Sequence, residues 1–142
     1  MINKIIDGIC LALSSKFNGS EIYTETVKQG LEDGSFSIVC LNPTYTHFLG
    51  KRYFRTNQFC IHYFPKTDEP KSECNEILER LYDALEIIEV DGDSIRGTNM
   101  KSEMDEGVLH FFVNYDFFMI HKNADEDEVH MEHFDHNLDV KG

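Results

Sequence analysis

Positive charge is scarce in this 142-residue chain, where 13 lysines and arginines face 26 aspartates and glutamates for a net charge of −13. Stable nucleic-acid binding draws on a positive footprint, so a conventional DNA- or RNA-binding module is not expected. No apolar run approaches the roughly 20 residues that span a bilayer. The N-terminus also has no basic region followed by an apolar stretch and a small-residue cleavage site, so neither export nor membrane insertion is expected. No glycine-rich run matches G-x-x-x-x-G-K-[ST] or G-x-G-x-x-G, which leaves nucleotide binding without support. The cysteines Cys10, Cys40, Cys60 and Cys74 form no C-x-x-C pair. Each sits among apolar neighbours and reads as a reduced core thiol of a soluble, cytosolic protein. Internal repeats and low-complexity linkers are missing too. One ordinary domain remains, of a size that buries roughly two-thirds of its unfolded surface.

What the chain does contain is apolar periodicity and acid. Ile2, Ile5, Ile6, Ile9, Leu13 and Phe17 recur at helical spacing and predict a helix over Ile2–Lys16, ended by Asn18-Gly19-Ser20. Glu21–Thr26 alternates as a strand does, and Lys28–Ser35 is glycine-rich and polar enough for a loop. Phe36–Leu41 reads as a buried strand stopped at Asn42-Pro43, and Asn57–Phe64 as a central strand covered on both faces. Pro65 ends that strand. Pro70 then opens a helix whose apolar side carries Cys74, Ile77, Leu78, Leu81, Tyr82, Leu85 and Ile88. Ile87–Val90 predicts a short strand, Asp91-Gly92-Asp93 a tight turn, Ser94–Met104 a return strand, and Val108–Ile120 a long strand after Glu106-Gly107. In that last strand Leu109, Phe111, Val113, Tyr115, Phe117 and Met119 share a face. The expected class is α+β, with two main helices and a mostly antiparallel or mixed sheet of about five to six strands. The last twenty residues hold seven acids against Lys141 alone, a balance of −6 that leaves −7 on the first 122. A folded unit over 1–122 and an acidic, histidine-bearing, disordered tail over 123–142 follow.

Candidate chemistry is thin. His130, His133 and His136 stand beside Glu132 and Asp135 in the tail and could share a helix face holding a transition metal, but a polar, uncovered segment favours a solvated tail. Asp91-Gly-Asp93 opens like a calcium loop yet meets Ser102 at the twelfth position, where such a loop needs glutamate. Cys60 and His62 project to one face of a strand about 7 Å apart along its axis. No glycine-rich elbow or orienting acid accompanies them, and no catalytic, cofactor or metal residue is nominated. The segment that exceeds the needs of a fold is Phe48–Arg55 (FLGKRYFR), where Lys51, Arg52 and Arg55 stand among Phe48, Tyr53 and Phe54 in an acidic chain. Such a composition suits an interface for self-association. It also suits a strand start whose cations pair with the acidic helix.

Several strings together, EIYTE (21–25), IVCLNP (38–43), FLGKRYFR (48–55), QFCIHYFP (58–65), VDGDSIRGT (90–98) and GVLHFFVNYD (107–116), make the chain similar to the phage tail terminator family of Gram-positive phages and prophages. The likeness runs from the first helix to about Ile120. It implies a small α+β subunit of a hexameric ring that stops tail-tube polymerisation and joins tail to head, with neither cofactor nor active site. The implied partners are further copies of the chain, the tail tube protein and the head-tail connector proteins, with DNA only in passage and no membrane. The implied location is the virion tail, after assembly in the host cytoplasm. From the basic and aromatic cluster in an acidic chain, the subunit or tube interface residues expected are Phe48, Lys51, Arg52, Tyr53, Arg55 and, next in line, Arg96. Alternatives are another connector or tube component, or a metal-binding protein using the tail histidines.

Overall fold

The computed structural model describes residues 1–25, 32–121 and 129–131. Its elements follow in the order α1 (Ile2–Lys16), β1 (Ile22–Tyr23), β2 (Phe36–Leu49), β3 (Arg52–Tyr63), α2 (Pro70–Leu85), β4 (Ile87–Val90), β5 (Asp93–Arg96), β6 (Thr98–Asp105), β7 (Val108–Asn114), β8 (Phe117–His121) and β9 (Val129–Met131). The class is α+β, as the interspersed periodicities require. Among the described residues the main sheet has seven strands, ordered β1-β2-β3-β7-β6, with β8 between β3 and β9, while β4 and β5 form a separate ribbon. Two very short strands, β1 and β9, raise the number above the five or six expected. The parallel pairing of β1 with β2 makes the sheet mixed. The strand β9 lies within the tail expected to be disordered beyond residue 122, and the remainder of that tail is outside the described residues. So is the first half of the Lys28–Ser35 loop.

Both helices lie on one face of the sheet. Ile5, Ile9 and Leu13 of α1 and Cys74, Ile77, Leu81 and Leu85 of α2 join one buried cluster with Phe59 and Ile61 of β3 and with Leu109, Phe111, Val113, Tyr115, Phe117 and Met119. Each of those large side chains contributes roughly 1.5–3 kcal/mol by leaving water. Gly8 lets α1 approach β4, because a Cβ there would lie 2.6 Å from the carbonyl oxygen of Glu89. The α2 entry is locked by Glu73. Its carboxylate accepts bonds from the Tyr63 hydroxyl (2.5 Å), the Thr67 hydroxyl (2.8 Å) and the backbone N–H groups of Lys66 and Thr67.

The structure corrects three strand expectations. The strand from Phe36 does not stop at Asn42-Pro43 but continues to Leu49 through a bulge between Leu41 and Thr44. Asn42 takes a positive φ of 43° there, and Pro43 occupies a bulge, where its missing N–H removes no ladder bond. The return strand over Ser94–Met104 is divided at Gly97, where the chain leaves the ribbon for the main sheet. A Cβ on Gly97 would lie 2.7 Å from both the Leu85 carbonyl oxygen and Val113 Cγ2, so only glycine passes. The long strand over Val108–Ile120 is β7 and β8, interrupted at Tyr115-Asp116 without a change of register against β3, since Gln58 faces Asn114 and Arg55 faces Phe117. At the interruption one backbone bond remains, from Tyr115 N–H to the Asn57 carbonyl (2.9 Å), and side chains supply the rest. Asn57 N–H donates to Asp116 Oδ1 (3.0 Å) and Asn57 Nδ2 to the Tyr115 carbonyl (3.0 Å), while the Tyr115 hydroxyl reaches the Leu85 carbonyl (2.6 Å).

Candidate interaction surface

The segment Phe48–Arg55 forms the tip of the β2–β3 hairpin. A two-residue turn at Gly50-Lys51 reverses the chain between Leu49 and Arg52. Gly50 there has φ 56°, the first-position conformation that hairpin turns of this kind reserve for glycine. Every residue from Asn42 through Arg52 is exposed. Beyond its bulge β2 is therefore the open side of a sheet arm, in which Tyr53, Phe54, Arg55 and Thr56 of β3 are half-buried and β8 returns Phe117 and Met119 to the core.

Period-two alternation gives the arm two chemically distinct faces. On one, Tyr45 and Tyr53 stack with ring centroids 5.0 Å apart, His47 leans on Tyr53 at 5.0 Å, and the Arg55 guanidinium lies 5.5 Å over the Tyr45 ring. The Arg55 Nη1 also contacts Met119 Sδ at 3.7 Å, while its Nε is buried without a hydrogen-bond partner among the described residues. On the other face Phe118 packs between Phe48 (5.1 Å) and Phe54 (4.8 Å). The hydroxyls of Thr44 and Thr56 bond across the hairpin, and His47 Nε2 meets the Gly50 carbonyl at 2.7 Å. Despite this internal order, Tyr45, Phe48 and Leu49 remain 49%, 53% and 69% exposed. An ordered apolar and cationic surface results.

Five of the six nominated residues, Phe48, Lys51, Arg52, Tyr53 and Arg55, therefore share the arm. Arg96 does not. It lies on β5 and pairs with Glu86 at 3.1 Å within the body. Sequence reasoning missed Tyr45, because a strand ended at Pro43 leaves residues 44–47 without a side to point to, and it missed Phe118, whose place beside Phe48 and Phe54 comes from strand pairing. The alternation of Thr44, Tyr45, Thr46 and His47 was the available signal.

Two other places gather polar side chains of the kind that chemistry needs. A cleft of about 620 Å³ between the end of α1 and the start of α2 is lined by Phe17, Tyr63, Thr67, Glu73, Ile77 and Arg80. Burial works against ionisation of Glu73, but the bonds from Tyr63, Lys66 and Thr67 outweigh it and hold the carboxyl at about 2. Such a group is a fixed anion, poorly suited to shuttling protons near neutral pH. On the sheet face away from the helices, Cys60 Sγ and His62 Nε2 are 3.6 Å apart, much closer than the 7 Å spacing along the strand axis suggests, because side chains lean along a strand. Burial and then Glu103 push the Cys60 thiol up to about 11, and burial and His110 lower His62. A nucleophilic cysteine needs the opposite shift.

A family model described as phage tail terminator protein matches residues 4–128 of the chain. No curated protein matches it.

Proposed function

This chain belongs to the phage tail terminator family, and from that premise we propose that it closes the head-proximal end of a tail tube as a ring of identical subunits, six in number. Membership of that family supports a tail assembly role and a place in the virion tail. No helix among the described residues is long and apolar enough to cross a membrane. The finer reading rests on the arm. An ordered hairpin tip whose β2 side is exposed throughout, carrying aromatic rings and cations on an acidic body, is a surface prepared for a partner. A head-to-tail contact between one subunit's arm and its neighbour's acidic body is heterologous, and a heterologous contact that closes makes a ring. Such a ring offers one face to the tube protein and another to the head-side connector. The acidity of the body repels DNA phosphates, so a genome passes without adhering.

Native mass spectrometry and negative-stain imaging, with and without tail tube protein, test the proposal. Closed rings that shorten growing tubes are expected. Long cylinders formed by this chain alone would make it a tube subunit instead, and a strict monomer that leaves tube growth unchanged would remove the ring altogether.

A further inference from the structure

The sheet register aligns Ser37, His62, His110 and Glu103 in one cross-strand row over β2, β3, β7 and β6. Cys60 stands two residues before His62, on the same side of the sheet and opposite the helices. We propose that Cys60, His62 and His110 form a binding site for a transition-metal ion of the zinc class, with Glu103 or water in the fourth position. The three ligand atoms lie within 4.8 Å of one another. A tetrahedral ion with bonds of about 2.0–2.3 Å needs its ligand atoms roughly 3.3–3.8 Å apart. The Cys60–His62 pair already meets that spacing at 3.6 Å. Only the His110 ring must close by about 1 Å, and it already meets His62 edge-on with centroids 4.5 Å apart.

The donor set selects the ion. One sulfur and two imidazoles favour zinc, cobalt, nickel or copper over magnesium and calcium, which seek oxygen. All three donors sit on paired strands, so the site is held by the ladder rather than by a loop. His62 is further oriented by hydrogen bonding with the Ser37 backbone, the outer support that metal-bound histidines commonly have. On binding, the Cys60 thiol loses its proton to solvent and forms the sulfur–metal bond, so one proton is released per ion. The bound ion would pin β3 to β7 at the sheet centre.

The full chain is titrated with Co2+, whose bond to a thiolate gives near-ultraviolet charge-transfer absorption. One equivalent is expected to produce the band, Cys60→Ser to abolish it, and His62→Ala or His110→Ala to weaken binding at least tenfold. Replacing His130, His133 and His136 together by alanine should leave the band in place, because the tail has no thiol. Absence of the band from the wild-type chain, or its survival in Cys60→Ser, overturns the site. X-ray absorption of the zinc-loaded wild-type chain guards against a variant that fails to fold. One sulfur near 2.3 Å with two or three nitrogen or oxygen neighbours near 2.0–2.1 Å is expected, and a shell without sulfur refutes the proposal.

Discussion

The two halves of the β2–β3 hairpin are built from the same pair of strands and live in different environments. In the near half, Phe36 and Ile38 face Tyr63 and Ile61, and helices cover those four buried side chains. In the far half, beyond the bulge at Asn42-Pro43, Tyr45 faces Arg55 and His47 faces Tyr53, and every residue of β2 is exposed. The backbone bonding is comparable, so pairing alone does not distinguish them. The difference is what each side chain loses when the hairpin stands by itself. Near-half residues exchange water for core, whereas far-half residues keep much of theirs and are left with surface that a partner can bury.

That contrast makes graded predictions. Phe59→Ala, in the fully buried near half, should cost about 3–5 kcal/mol, read as a lower urea midpoint with the slope unchanged. Tyr115→Phe removes the hydroxyl that satisfies the buried Leu85 carbonyl and should cost about 1–3 kcal/mol by the same measurement. Glu73 lies at the edge of the body, and its depressed pKa sets a pH window. Its stabilisation is fully present above the ordinary glutamate value near 4.5 and is lost as pH falls toward about 2. Because the group is only partly buried, screening reduces the effect to about 1 kcal/mol, and Glu73→Gln should flatten that part of the stability–pH curve. Charge reversal at Lys51 and Arg52, in the far half, should change stability by less than about 1 kcal/mol while abolishing the ring. Light scattering that finds the oligomer intact, or urea melts that find the monomer unfolded, would erase the proposed division of labour within the hairpin.

Legibility from sequence followed the reach of each signal. The first helix was readable to its ends because a six-residue apolar stripe has no strand alternative, and α2 was readable because Pro70 fixes its first turn. The Leu109–Met119 face was readable across an interruption, since Tyr115 and Asp116 keep the period of two even where the ladder is broken. The extension of β2 was not. Asn42-Pro43 is a sound stop signal locally, and only pairing with Thr56 and Arg55, some dozen residues away, turns it into a bulge. The split at Gly97 was hidden for the same reason, because its necessity comes from Leu85 and Val113 rather than from its neighbours. The proximity of Cys60, His62 and His110 also depended on a partner strand nearly fifty residues distant.

By itself, then, the sequence determined what is local or additive. Its acidity, its two amphipathic helices, the α+β class and the basic-aromatic composition of Phe48–Arg55 need no knowledge of which strand lies beside which. Tertiary structure decided the register. It made Phe48–Arg55 the tip of a hairpin arm with one strand exposed throughout, placed Arg96 elsewhere against Glu86, and aligned one cysteine and two histidines across a sheet. Strand pairing is a long-range choice, settled by which whole set of side chains buries best, and no short window of sequence contains it.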